Sequence, residues 1–168
     1  MASTVEPAIN ALLSLFGAAL AGSGNPDIAG MELQLGADLP DTSARTAVYV
    51  GWLGWPGDQQ TMDPTAADIA PAVAGPGTGG LGGRRDREQA TIHCSAQVLD
   101  GDNNALAAKT LALAARDACV AVVQANRTLR GAIQGSASIG ATSLRIQQVG
   151  YGALAVAQFD VETDAFTT

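Results

Sequence analysis

The chain has 168 residues, 47% of them hydrophobic and 15% charged, and 9 Lys and Arg stand against 16 Asp and Glu for a net charge of −7. That length fits one domain with a sizeable core, and the acidic balance argues against a domain that grips nucleic acid through its phosphates. So few charges leave much neutral surface, as in a subunit that hides surface in a permanent assembly.

Met1–Glu6 has no Lys or Arg ahead of the apolar stretch, so the basic region of a signal peptide is missing. Ala11–Ala21 is too short to span a bilayer. We expect a soluble chain that is not secreted. Ser3 and Glu6 have capping-box spacing, and Pro7 suits a first helical turn. Ile9, Leu12, Leu13, Phe16 and Leu20 then form one stripe, which predicts an amphipathic helix ended by Gly22, Gly24 and Pro26.

Met31–Leu35 is either a short strand or extended coil. Thr46–Leu53 is β-branched and aromatic enough for a strand, with Val48, Val50 and Trp52 on one face and Ala47, Tyr49 and Leu53 on the other. Residues 54–86 hold Pro56, Pro64, Pro71 and Pro76 and the run Gly75–Gly83, with no apolar period. We expect a long glycine-rich loop between the first two strands, mobile or ordered only on a partner.

From Gln89 to Val98 apolar and polar residues alternate without a miss: Ala90, Ile92, Cys94, Ala96 and Val98 against Gln89, Thr91, His93, Ser95 and Gln97. That period marks a strand with one face buried. Asp100–Asn104 is a polar loop that caps the following helix, and Asn104–Leu129 runs without Gly or Pro. Its small-residue face, Ala108, Leu111, Ala115, Ala118, Cys119 and Val122, suits close packing on a sheet. Gly131–Thr142 reads as a loop, Leu144–Val149 as a short strand, Gly150–Gly152 as a turn and Ala153–Thr163 as the last strand. The order implies a single α+β domain over residues 1–168, a mostly antiparallel sheet of about four strands with two helices packed on it.

Few residues offer chemistry. His93 is the lone histidine and shares a strand face with Ser95, but strand neighbours two apart are roughly 6–7 Å apart, so a structural or interface histidine is the expectation. No second histidine supports a metal site. Gly77, Gly79 and Gly82 match a GxGxxG spacing but lack the preceding strand and following helix that a dinucleotide needs, so no cofactor is expected. Cys94 and Cys119 read as small buried hydrophobes, which suits a reducing compartment. Asp160, Glu162 and Asp164 alternate on the last strand as a wet face or an interface.

Two features point to an interface. Arg84, Arg85 and Arg87 form the only basic cluster, suited to an acidic neighbour or a second copy of this acidic chain. On the long helix Leu106, Leu113 and Val120 recur every seven residues away from the small-residue face, beside Lys109 and Arg116. This second stripe is covered by a partner or by the long loop folding back.

The opening helix, Ala47–Trp52, Arg87-Glu88 running into the alternating strand, the long helix with Thr128–Gly131, and the closing hairpin Leu144–Thr163 resemble the tail terminator proteins of long-tailed, non-contractile bacteriophages (minor tail protein U-like). The resemblance covers most of the chain, and the loop 54–86 departs from it. It implies a homohexameric ring in the virion, assembled in the host cytoplasm. Such a ring caps the tail tube, stops its polymerisation and offers a surface to head completion or connector proteins. It implies no catalytic residue, no cofactor, no sequence-specific nucleic acid and no membrane. The alternatives are another neck component, such as a head–tail connector or stopper, a small enzyme using His93 with Ser95 or Cys94, and an adaptor that binds a small ligand.

Overall fold

A computed structural model describes residues 3–36, 46–51, 67–72 and 87–166, with the backbone alone over 67–72. The first helix, α1, spans Val5–Ala21 and buries Ala8, Leu12, Leu15, Phe16 and Leu20. The expected face is turned by a few tens of degrees: Ile9 and Leu13 are half-buried, while Ala8 and Leu15, outside the expected stripe, are buried. The Ser3–Glu6 capping box does not form. The Ser3 and Thr4 hydroxyls and the Thr4 amide all bond instead to the carboxylate of Glu88, far along the chain. After Gly22 a single turn, α2 (Pro26–Ala29), is capped by the Asn25 side chain, which accepts from the Asp27 amide.

Among the described residues six strands form one mixed sheet of order β1-β2-β4-β6-β5, with β3 also paired to β4. They are β1 (Glu32–Leu35), β2 (Ala47–Val50), β3 (Ala67–Ala72), β4 (Arg87–Asp100), β5 (Gly135–Val149) and β6 (Gly152–Phe166). Of these pairings only β1–β2 is parallel. The α+β class thus holds, with more strands than expected. β3 lies inside the segment read as loop. Its alternation is short and broken by Pro71, so composition hid it. The rest of 54–86, with the glycine run, Arg84 and Arg85, lies outside the described residues, as do Trp52 and Leu53. β2 and β3 share one side of β4 end to end, β2 against residues 94–97 and β3 against 87–92.

The stretch read as loop over 131–142 is mostly strand. β5 starts at Gly135, where a side chain would meet the Asp164 carbonyl oxygen at 2.0 Å, so only glycine lets the two backbones pair this closely. A register shift between Ile139 and Thr142 then moves the inward positions from odd to even numbers. Ala137 and Ile139 before it, and Thr142, Leu144 and Ile146 after it, therefore never make one alternating run. That is why the sequence shows a short strand in place of fifteen residues.

The long helix, α3 (Ala105–Ala125), is capped by Asn104, whose side chain accepts from the Ala107 amide, while Asp100 holds the preceding turn by accepting from Asp102 and Asn104. Its buried residues, Ala108, Ala112, Ala115, Cys119 and Val123, are small, so the helix sits close against Ala155 and Ala157 of β6 in the main core. α1 packs beside it on the same side, and Phe16 meets Phe159 with ring centroids 5.8 Å apart, a tilted pair that adds to its area burial. Each such large side chain contributes about 1.5–3 kcal/mol when fully buried.

The strand β4 departs from one expectation. Its apolar face is buried as read, but from His93 to Val98 the other face is buried too. Ser95 and Gln97 are 0% and 1% exposed. Ala47 with Tyr49, and Leu154 with Val156, form two small clusters on this second face. A polar–apolar alternation fixes which residues share a face, and does not say that the polar face is wet.

Candidate assembly surface

Of the expected interface residues, Arg87, Leu106, Lys109, Leu113, Arg116 and Val120 are described. Arg84 and Arg85 lie outside the described residues. Arg87 makes a forked ion pair with Asp164 across β4 and β6, so that carboxylate already engages its charge. Arg116 bonds Asp117 through Nε and Nη2 at 3.0 and 2.7 Å. Leu113 and Val120 are half-buried against the main core of their own chain, and Lys109 is half-buried as well. The heptad stripe is therefore largely absorbed by the fold, because α3 lies in a groove of sheet and helix and buries more than one narrow face. Leu106 alone stays out, 69% exposed.

Two other features stand open. The first is the outer half of β5. Residues 141–148 are exposed on both faces, although β6 opposite them is buried from Gly152 to Ala157. Leu144 and Ile146 are 37% and 44% exposed and pair with Ala157 and Ala155, which face the main core. Cross-strand partners share a face, so this arm presents apolar side chains on the helix-bearing side of the sheet beyond the helices' cover. As the outermost strand in the described sheet, fifteen residues and about 50 Å long at strand rise, it also has no strand partner on its outer side among the described residues, where the Ala137 amide donates to the Arg127 carbonyl oxygen at 2.6 Å.

The second is a groove of about 700 Å³ at the start of α3. α3 lines it with Leu106, Leu111 and Ala114 among others, the end of β4 with Val98, Leu99 and Asp100, and the start of α2 with Asn25 and Asp27. Its described lining mixes apolar side chains with the carboxylates of Asp27 and Asp100, and holds no Lys or Arg among the described residues.

The candidate chemistry forms a third cluster. His93 Nδ1 lies 2.8 Å from Asp160 Oδ1 on the second sheet face, with His93 itself 5% exposed. Ser95 Oγ and Gln97 Nε2 on the same face find no hydrogen-bond partner among the described residues. Ser95 makes no bond to His93, so no nucleophile bonded to the pair is seen among the described residues. Cys94 points into the opposite, apolar face. Burial pushes its thiol far up, helped by the neighbouring Cys119, whose own thiol burial pushes up to about 12. Among the described residues no cluster could hold a metal ion, and no helix is long and apolar enough to cross a membrane.

Sequence reading missed the arm and the groove. Leu144 and Ile146 gave a strand signal, but alternation looks the same in a covered strand and a bare one. The groove joins residues from α2, β4 and α3 that are far apart in sequence. Comparison with protein-family models and with curated proteins gives no match to this chain.

Proposed function

We propose that this protein is a structural subunit of a bacteriophage tail, a terminator that closes into a ring, caps the tail tube and presents a surface for head joining. One observation carries the reading. The arm of β5 is a long strand with both faces exposed, an open margin and two apolar side chains, a surface that invites aggregation in a monomer and is satisfied by a neighbour in an assembly. A neighbour that covers the arm with a different surface makes a heterologous contact, the kind from which rings are built, whereas pairing of two β5 edges gives only a twofold dimer. The low charge fits surface spent on subunit contacts, and the sequence resemblance supplies the tail as the setting. The His93–Asp160 pair is read as structural, a buried polar contact that fixes the register of β4 against β6.

The test is native mass, measured for the purified chain alone and mixed with tail tube protein. The expected result is a discrete ring, or ring formation on the tube end with arrest of tube growth. A single chain at high concentration that ignores tube and neck proteins overturns the reading.

A further inference from the structure

The arm and the groove match one another, and we propose that the β5 arm of one copy seats in the α3–β4 groove of the next. The inference rests on the ring reading above and names the contact that builds the ring.

The first argument is height. Leu144 and Ile146 pair with Ala157 and Ala155 of β6, which pair in turn with Ala96 and Val98 of β4. Val98, Leu99 and Asp100 line the groove. Arm and groove therefore lie at one level along the strands, on the helix-bearing face, with β6 and α3 between them. Copies joined through them are related by rotation with little shift along the strands. Repetition of such a step closes a ring, whereas a shift would wind a filament.

The second argument is the match of the arm's side chains to the groove's lining. An edge strand shows opposite faces at successive residues. Leu144 and Ile146 lie on one face and Arg145, which pairs with Val156, on the other. A strand entering the groove lays Leu144 and Ile146 against Leu106, Leu111 and Ala114, and turns Arg145 toward Asp27 and Asp100. In a chain of net charge −7, like copies repel unless cations are placed at the contact, and Arg145 is the only charged residue in 141–148. Arg145 already takes part in an interaction of its own chain; its five N–H donors leave capacity for a second carboxylate. Seating in the groove also accounts for an arm bare on both faces and for the exposure of Leu106, the one member of the helix stripe that the fold does not absorb.

Two experiments on the full chain test the contact. One chain with Leu106→Cys and another with Ile146→Cys are mixed and treated with a short bis-maleimide, the native thiols being buried. Crosslinked dimers are expected from the mixture and not from either chain alone. Dimers from Ile146→Cys alone would mean twofold pairing of β5 edges and would overturn the proposal. In the second, Arg145→Glu is expected to weaken self-association by on the order of tenfold or more, and adding Asp27→Arg to the same chain to restore it. Circular dichroism checks that each variant folds. An unmodified protein that is a single chain removes the ring reading and this contact with it. An oligomer that tolerates Arg145→Glu and gives no mixed crosslink removes this contact and leaves the ring reading standing.

Discussion

The carboxylate of Glu88 on β4 closes the N-terminus of α1: its Oε2 accepts from the Thr4 amide at 2.6 Å and from the Thr4 hydroxyl at 2.7 Å, while Oε1 accepts from the Ser3 hydroxyl at 2.9 Å. A helix start leaves amides without intrahelical partners, and a negative charge there also meets the positive end of the helix dipole. β4 thus adds acceptors at the helix start beside the Ser3 hydroxyl, which accepts from the Val5 amide at 3.2 Å. Glu88→Ala removes the acceptor from a buried amide and is expected to cost about 1–3 kcal/mol of unfolding free energy, read by urea titration at neutral pH. No loss there would show that the contact contributes nothing.

The same group sets an acid limit. Burial pushes the Glu88 carboxyl up, but the Thr4 amide and the Thr4 and Ser3 hydroxyls outweigh it and hold the group below its ordinary value of 4.5. Folding therefore releases a proton from it. Its stabilisation is complete above the unfolded value and fades as pH falls through the lower folded one. The gap in stability between the unmodified chain and Glu88→Ala should shrink on acidification below pH 4.5. A gap that stays constant to strongly acid pH would contradict this.

The helix stripe can be separated into covered and open members. Leu113→Asp and Val120→Asp place a carboxylate against the main core and should each lower stability by at least about 1 kcal/mol in the monomer. Leu106→Asp should change monomer stability by no more than about 0.5 kcal/mol and still impair self-association. Thermal melts with native mass on the same samples distinguish the three. Equal melting temperatures for all would mean that Leu113 and Val120 are not held by the fold.

Cys94 and Cys119 should resist a thiol reagent in the folded protein and react only as it unfolds. Both sit in the main core with their thiolates disfavoured by burial. A time course with a chromogenic disulfide, with and without denaturant, reads this directly; rapid native labelling would place one of them at the surface.

His93→Ala separates a structural role from a catalytic one. It leaves Asp160 without its 2.8 Å partner, so a loss of about 1–3 kcal/mol is expected, with ring formation retained. A turnover that vanishes with the substitution at unchanged mass would favour the enzyme reading.

Where the sequence spoke clearly, one physical signal mapped to one structure. Ala90 to Val98 alternate because that face of β4 lies on the core, and Ala108, Ala115 and Cys119 recur because α3 must approach the sheet closely. Elsewhere two effects overlapped. In β5 the irregularity at Gly140 and Ala141 switched the phase, so Ala137 and Leu144 could not be read as members of one strand: Ile139 falls on one parity and Leu144 on the other. At Ser95 and Gln97 polar residues lie buried, which composition reads as solvent-facing. Glu88 looked like part of a charged junction because its partner, Thr4, is 84 residues away. The candidate contact was the least legible, since Asp27, Val98 and Leu106 meet only once the chain is folded.

The division of one side of β4 between β2 and β3 meets at His93, whose carbonyl accepts from the Gly51 amide at 2.6 Å. A strand zipped by two separate lengths can release one while the other holds. Amide exchange along β4 should then fall into two kinetic classes divided near this residue, giving the subunit a place to loosen locally while its centre stays shut.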